Sequence, residues 1–344
     1  MKEFVIKSNE SGQRLDKFLG KVLSEASMGF IYKMLRKKNF TLNDKKADGK
    51  EILEQGDCVK LFLSDETFGK FSKLDTIKDQ ADKSYPRVTK EDLDKLSLSI
   101  VYEDPDILIF NKPAGMLSQK SEKDDISVNE YLIGYMLTSR QITRDGLATF
   151  KPSIANRLDR NTTGAILCGK SLAGLQFLAD TLKHRTMHKY YRTIVCGKID
   201  HPMQLDGSLS KDEKKNQVRI SRQTDTGKNT IQTKIEPLQI FHYKNAEYTE
   251  IQVELITGKT HQIRAHLSSI GHPLLGDTKY TGDGIDNRFR GLRHQLLHSY
   301  KMCFEEDGPV SNEKFAYLGG KTFYADLPDE YQKILRTMQN GNME

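Results

Sequence analysis

Residues 156–171, NRLDRNTTGAILCGKS, join a polar turn to an apolar run and then to the first residues of a helix. The turn contains Asp159 between Arg157 and Arg160, and the run TGAILCG predicts a buried strand. Ser171 then precedes the stretch LAGLQFLADTLKHR, whose leucines recur at helical spacing, so it is a candidate N-cap. A polar turn, a strand and a helix in immediate succession indicate a fold that mixes strands and helices.

The flanking segments extend this pattern in both directions. Residues 99–113 hold two short apolar runs around the turn 103–106, which is typical of a hairpin. The segment 190–199 is rich in strand-forming residues, and 247–256 alternates apolar and polar positions with the period of a strand. Residues 261–271 have a helical apolar stripe, and Gly271 is a suitable C-terminal stop. Together these segments predict an α+β domain over residues 98–335, followed by a tail at 336–344.

The N-terminal part has a different organisation. Residues 14–23 and 28–38 have helical apolar spacing, and Gly56-Asp57 marks a turn before a strand. We therefore predict a small domain at 1–63. The polar, charge-rich segment 64–97 is interpreted as a linker with one short helix near 89–97.

Composition excludes several classes of protein. The 344 residues include 53 Lys+Arg and 47 Asp+Glu, a net charge of +6, and residues 30–50 carry a local excess of basic side chains. No apolar run approaches the roughly 20 residues that span a bilayer, and no secretory signal is evident. The four cysteines are widely separated. We expect a cytoplasmic protein with reduced thiols and no membrane segment.

Two short motifs suggest other functions and are rejected. The sequence TGKT at 257–260 resembles the end of a phosphate-binding loop, but Val253 occupies the position of the loop's first glycine. The sequence HQLLH at 294–298 has the spacing of two zinc ligands on one helix face, but it lacks the glutamate of the metalloprotease motif. We expect neither a nucleotide site nor a metal site. The two histidines are expected to pack within the fold or to bind phosphate.

Two polar segments are candidates for chemistry. Asp159, flanked by two arginines, is available as an ionised nucleophile or general base; taken alone, the segment favours a capped turn with a surface Asp–Arg pair. Within 254–282, His261 and Arg264 lie three apart on one side of the predicted helix, while its apolar residues face the core. This arrangement would direct Arg264 toward a cleft, although by itself it could also be a solvated helix face.

In combination these segments resemble the RluA-type family of RNA pseudouridine synthases. The similar segments are 101–116, 156–171, 188–199, 254–282 and 293–304, in the family's order. Residues 12–62 separately resemble an S4-type RNA-binding domain, through RLDKFL, the basic second helix and the Gly-Asp-x-Val turn. The resemblance implies a long, mostly antiparallel sheet with flanking helices and a central cleft.

The resemblance also implies roles for individual residues. Asp159 falls on the family's catalytic aspartate, Tyr191 on the tyrosine of its K-x-Y strand, and Arg264 on the arginine that pairs with that aspartate. RNA contacts are expected from basic side chains of the turn, the strand, the helix and the N-terminal domain, namely Arg157, Arg160, Lys189, Lys259, His261, Lys33, Arg36 and Lys37.

Three departures from the family pattern concern neighbours of these residues. Asn156 replaces the usual histidine, Lys259 the usual arginine and Ser299 the usual alanine. None removes a proposed catalytic group, but Asn156 and Lys259 could alter RNA contacts.

The implied reaction is isomerisation of uridine to pseudouridine, most often in large-subunit (23S) ribosomal RNA for relatives with an S4-type domain. It requires no cofactor, and a monomer is expected. Three alternatives remain open at this stage: a tRNA pseudouridine synthase, a non-catalytic RNA-binding or ribosome-assembly protein, and a nucleoside hydrolase or RNA glycosylase.

Overall fold

The computed structural model describes residues 1–7, 9–72, 85–212, 217–221, 230–281, 286–289, 291–306 and 313–341. Within these ranges the chain forms two sheets, one of four strands and one of eleven. No described helix is long and apolar enough to cross a membrane.

The smaller sheet belongs to the N-terminal unit and has the order β1-β4-β2-β3. Its helices cover the sheet with apolar side chains spaced three and four apart, as the sequence predicts; Leu15, Phe18 and Leu19 are fully buried. The elements of this unit are β1 (Lys2–Val5), α1 (Leu15–Val22), α2 (Met28–Arg36), β2 (Phe40–Leu42), β3 (Lys45–Lys46), β4 (Cys58–Leu61) and α3 (Asp65–Phe71).

Helix α3 lies beyond the boundary predicted at residue 63, in a segment expected to be irregular there. Ser64 caps it by accepting a hydrogen bond from the Thr67 amide, and Phe68 and Phe71 pack against the N-terminal core. Two aromatic side chains one turn apart outweigh the polar composition of the segment. The helix predicted near 89–97 is present as α4 (Lys90–Lys95), whereas 73–84 lies outside the described residues.

The large sheet has the order β11-β10-β12-β13-β9-β14-β8-β6-β5, with β7 and β15 paired at its margins. Every pairing is antiparallel except that of β14 with β8, so the expected long, mostly antiparallel sheet is confirmed. Its strands are β5 (Ser99–Glu103), β6 (Ile107–Lys112), β7 (Ser153–Ile154), β8 (Thr163–Gly169), β9 (Met187–Cys196), β10 (Met203–Asp212), β11 (Gln217–Ser221), β12 (Thr230–Tyr243), β13 (Ala246–Leu255), β14 (Leu297–Phe304) and β15 (Thr322–Tyr324).

Helices flank this sheet and its connecting loops. They are α5 (Val128–Thr138), α6 (Gly146–Thr149), α7 (Leu172–His184), α8 (Gln262–Ser269) and α9 (Asp329–Gly341). Helix α9 crosses the boundary predicted at residue 335, and its Met338 is fully buried. The predicted tail therefore contains packed helix as far as residue 341, because its apolar face continues past that boundary.

Strands β8 and β14 of the large sheet approach each other closely at one backbone contact. Strand β8 is buried along its whole length, and its Gly164 pairs with Ser299 of β14. Gly164 has φ +107°, and a Cβ added there would collide with the Ser299 backbone. Only glycine permits this approach, which brings the end of the Asp159 turn beside β14.

Replacing Gly164 by alanine should therefore destabilise the large domain by about 3 kcal/mol, from the strain of positive φ together with the overlap. Urea unfolding followed by circular dichroism measures this loss. Gly271→Ala is the matched control, because Gly271 also has positive φ (+86°) but open space around the added Cβ; about 1 kcal/mol is expected there. Equal losses for the two variants would contradict the close-contact argument.

Candidate active site

The predicted catalytic residues converge on one polar cavity of about 730 Å³. Its walls come from the turn before β8, the middle of β9, the loop before α8 and the loop around Ser118. Asp159, Tyr191 and Arg264 all line it. The volume is within the range of pockets that hold small-molecule groups, and the cavity forms the expected central cleft.

The Asp159 turn is held from both sides by hydrogen bonds. Ser118 Oγ donates to the Leu158 carbonyl (2.7 Å) and accepts from the Leu158 amide (3.0 Å). Asp159's own carbonyl accepts from the Thr162 amide (3.0 Å), which closes the turn. The backbone on both sides of the carboxylate is thus fixed, while its side chain remains 26% exposed in the cavity.

Lys112 also fixes the position of the Asp159 turn. It is fully buried at the end of β6, and its ammonium donates to three backbone carbonyls, those of Pro113 (3.0 Å), Met116 (2.9 Å) and Arg160 (2.9 Å). Burial lowers the pKa of Lys112 to about 7, and the nearby Asp159 charge partly opposes this. The bonds use all three ammonium donors and tie two separate loops together.

Arg264 lies between two carboxylates. Its Nε and Nη2 donate to Asp277 (2.7 and 2.9 Å), and its Nη1 donates to Asp159 Oδ2 (3.1 Å). Asp277 is almost fully buried and also accepts from the amides of Lys279 and Tyr280. Burial alone would lower the pKa of Arg264, but the hydrogen bonds and charge of Asp277 outweigh it and raise the pKa. A permanent cation is thus aimed at Asp159.

His261 is the second cation-forming group beside Asp159. It stands at the N-terminus of α8 with positive φ (54°), and its Nε2 lies 3.7 Å from Asp159 Oδ2. Its Nδ1 is 2.9 Å from the Tyr280 hydroxyl. Burial lowers the pKa of His261, with Asp159 opposing, so the imidazole is mainly neutral at neutral pH.

Tyr191 forms part of the cavity wall from the middle of β9. Its register partners are Val253 on β13 and Ser299 on β14, and only 5% of the residue is exposed. Burial raises the pKa of Tyr191 to about 12. The phenol is therefore neutral, and its ring is fixed at the wall of the same cavity that Asp159 lines.

The predicted RNA-binding residues separate into two groups. Arg157, Arg160, Lys189, Lys259 and His261 line the cavity. The remaining three do not line that cavity and are exposed on α2 or at its C-cap in the N-terminal unit: Lys33, Arg36 and Lys37.

Neither of the flanking arginines forms an ion pair with Asp159 among the contacts of the described residues. Among the described residues, the basic groups within 4 Å of Asp159 are the guanidinium of Arg264 and the imidazole of His261. Arg160 instead donates from Nε to the Gly115 carbonyl (3.0 Å), and Arg157 is exposed. Neighbours along a turn point in different directions, so adjacency in sequence did not predict the pair.

Asn156 has a structural explanation. Its Oδ1 accepts a hydrogen bond from the Leu167 amide of β8 (2.7 Å), which fixes the start of the Asp159 turn. The Oδ1 atom of Asn156 therefore binds the backbone of the protein rather than RNA.

The histidines at 294 and 298 do not share a helix. His298 is fully buried in β14, with Nδ1 2.7 Å from Thr163 Oγ1 and Nε2 3.0 Å from the Ala325 carbonyl. His294 lies before the strand and pairs with Glu330 (3.3 Å). Packing, the interpretation favoured for these residues, agrees with these contacts, and no group of three metal-ligating side chains is found in the described ranges.

Sequence reasoning missed Asp277, Lys112 and Ser118. Asp277 lies inside the segment 254–282, 13 positions from Arg264, and a lone acid after a glycine gave no periodic signal. Lys112 could have been suspected because it ends an apolar strand directly before a proline. Both act through contacts between distant segments.

Comparisons with known proteins agree with this geometry. A family model described as RNA pseudouridylate synthase matches residues 106–269. Ribosomal large subunit pseudouridine synthase D of Borreliella burgdorferi is 30% identical over 333 residues, covering 96% of this chain and 93% of the relative. Ribosomal large subunit pseudouridine synthase C of Vibrio cholerae is 29% identical over 314 residues, covering 90% of each.

A solved structure supports the fold. Human RNA pseudouridylate synthase domain containing 4 matches with a TM-score of 0.52 at 17% identity, covering 77% of this chain and 97% of the other. The similarity between the two structures lies in the arrangement of their strands and helices.

Lys112→Met should lower the free energy of unfolding by about 3 kcal/mol or more, because it leaves buried carbonyls without their donor. Lys95→Met is the control: Lys95 is largely exposed and makes only a 3.6 Å pair with Asp92, so less than about 0.5 kcal/mol is expected. Urea unfolding of the purified variants measures both.

The variants Lys112→Met and Lys95→Met also test how the stability of the protein depends on pH. The pKa of Lys112 is about 7 when folded and about 10.4 when unfolded. Between these values the unfolded state binds more protons, so Lys112 makes stability rise with pH. Lys112→Met should abolish this component between pH 7 and 9.5, and Lys95→Met should retain it. An unchanged slope in Lys112→Met would contradict the assignment.

Proposed function

The chain belongs to the RluA-type family of RNA pseudouridine synthases, and we propose that it converts specific uridines of large-subunit ribosomal RNA to pseudouridine. The observation that carries the proposal is the Asp159–Arg264 pair at the wall of a polar cavity. The substrate class is supported by relatives whose names specify the large ribosomal subunit.

The reaction rearranges one nucleoside without changing its composition. The bond between ribose C1′ and uracil N1 breaks, the uracil turns, and C1′ bonds to C5. The proton leaving C5 is matched by one gained at N1. The target base must first leave its stack, which costs a few kcal/mol, and the cavity is large enough to receive it.

Asp159 is proposed to start cleavage of the glycosidic bond, by attacking the sugar or by removing a proton from it. It is the one carboxylate among the described residues that line the cavity. Glycoside hydrolysis generally uses two carboxylates across the scissile bond. One carboxylate with a cationic partner suits isomerisation better than hydrolysis.

Arg264 is proposed to keep Asp159 ionised and correctly placed. Its bidentate bond to Asp277 leaves Nη1 as the group that reaches Asp159. Because the guanidinium is anchored before substrate arrives, no free energy is spent on orienting it during the reaction.

Tyr191 is proposed to stack on the uracil and to take the proton from C5 after reattachment. Its ring lies at the cavity wall beside β14, so its hydroxyl is one of the acid–base groups available in the cavity besides Asp159. The cavity's basic side chains would hold the phosphates on either side of the extruded nucleotide.

We assign the N-terminal unit, as an S4-type domain, the role of sequence-independent RNA binding. The exposed basic side chains of α2 are suited to phosphate contacts. We expect the enzyme to act as a monomer in the cytoplasm without a cofactor.

The decisive experiment is tritium release from RNA labelled at uracil C5, using ribosomal RNA and tRNA from cells that lack the gene. Wild-type protein should release tritium to water from ribosomal RNA without forming free uracil. Asp159→Asn, which removes the charge at constant size, should reduce the rate at least 10³-fold, in the range lost when other essential catalytic groups are removed, while RNA binding persists.

Asp106→Asn is the matched control, because Asp106 also pairs with a cationic side chain, at 2.8 Å from Lys314 Nζ, but does not line the cavity. Its rate should stay near wild type. Free uracil would indicate a glycosylase, release from tRNA alone would reassign the substrate, and RNA binding without release would indicate a non-catalytic protein.

Neutralising Lys33, Arg36 and Lys37 together should weaken RNA binding and reduce the slope of log K against log salt by about 2, since each phosphate contact contributes about 0.7–0.9. Filter binding at several salt concentrations measures the slope. Lys90, Lys95 and Lys333 are equally exposed and serve as the control set. An unchanged slope in the first variant would remove α2 from the RNA interface.

A further inference from the structure

Ser299 occupies a central position beneath the proposed active site. It lies in β14, opposite Tyr191 of β9 on one side and Gly164 of β8 on the other. Directly opposed residues of antiparallel strands project from the same face. The Ser299 side chain is therefore a neighbour of the Tyr191 ring, and the residue is fully buried.

The hydroxyl of Ser299 is not used elsewhere. Within the part of the chain that the structure describes, its Oγ has no hydrogen-bond partner of ordinary geometry. Buried hydroxyls are nearly always paired, and an unpaired one costs stability. A serine that only filled space at this position would be better replaced by alanine, so the hydroxyl requires an explanation.

The titratable group that this hydroxyl acts on is the phenol of Tyr191. Burial raises the pKa of Tyr191, whereas the neighbouring hydroxyl of Ser299 lowers it. The Asp159 charge adds to the rise. Among the described residues, Ser299 is thus the group that favours the phenolate of Tyr191, in a setting that otherwise disfavours it.

We propose that Ser299 is a positioning residue for Tyr191, donating a hydrogen bond from Oγ to the phenol oxygen when that oxygen acts as a base. The inference rests on the proposed function, in which Tyr191 receives the C5 proton. Tyr191 first releases its own proton to water; the phenolate then takes the proton from C5 and becomes the neutral phenol. The bond from Ser299 strengthens as negative charge develops on the oxygen.

The test compares Ser299→Ala, Ser299→Cys and wild type in single-turnover pseudouridine formation, with RNA affinity measured in parallel. Ser299→Ala should lower the rate at saturating enzyme about 3- to 10-fold and leave the Kd for RNA unchanged. Ser299→Cys keeps a weak donor of similar size and should give an intermediate rate.

Thr41→Val is the matched control. Thr41 Oγ1 is also buried without a hydrogen-bond partner, but it lies in β2 of the N-terminal unit. Its replacement removes an equivalent hydroxyl far from Tyr191 and should leave the rate unchanged.

A spectroscopic measurement makes the test independent of activity. Tyrosine labelled with ¹³C at Cζ gives one resonance for each of the 14 tyrosines, and loss of a signal in Tyr191→Phe assigns Tyr191. That resonance should shift in Ser299→Ala and stay in place in Thr41→Val.

A wild-type rate in Ser299→Ala, a loss confined to RNA affinity, or an unmoved Tyr191 resonance would each overturn the inference. If the wild-type protein forms no pseudouridine, the proposed function fails instead, while the resonance still decides whether the Ser299 hydroxyl acts on the phenol of Tyr191.

Discussion

The site depends on the buried Arg264, which binds two carboxylates that differ in their exposure to the cavity. Asp277 is enclosed and holds Arg264 through two hydrogen bonds, whereas Asp159 receives a single bond and remains open to the cavity. A guanidinium removed from water needs at least one ionised partner. Asp277 meets this requirement, so the contact with Asp159 can change during a reaction without leaving a buried charge unpaired.

The turn that carries Asp159 is fixed by groups that take no part in the proposed chemistry. Lys112 and Ser118 bind its backbone, and Asn156 binds the following strand. Because these bonds end on backbone atoms, they set the position of the carboxylate without altering its charge. Rigid support of this kind is what a reaction requires when a displacement of about 1 Å can cost 10²-fold in rate.

Local patterns predicted the elements well, and contacts between distant segments much less well. Apolar periodicity predicted α1, α7 and α8 and the strands β8 and β13, because burial of one face is encoded within a few residues. The same reasoning missed α3, where two aromatic residues outweighed a polar composition. It also assigned Asp159's cationic partners to its neighbours in sequence. Asp277 and Lys112 could not be found by periodicity, since each acts through a single long-range contact.

Burial of Tyr191 has two opposing consequences for the proposed reaction. A buried ring on β9, the strand between β13 and β14, is held rigidly enough to support a stacked base, but the same exclusion of water raises the pKa of its hydroxyl to about 12. Stacking and proton abstraction therefore make contrary demands on one side chain. A hydroxyl placed within the sheet reconciles them, because it favours the phenolate without admitting solvent. The free energy that Ser299 loses by staying unpaired in the resting site is recovered when charge forms on Tyr191, which makes the bond stronger in the reacting state than in the ground state.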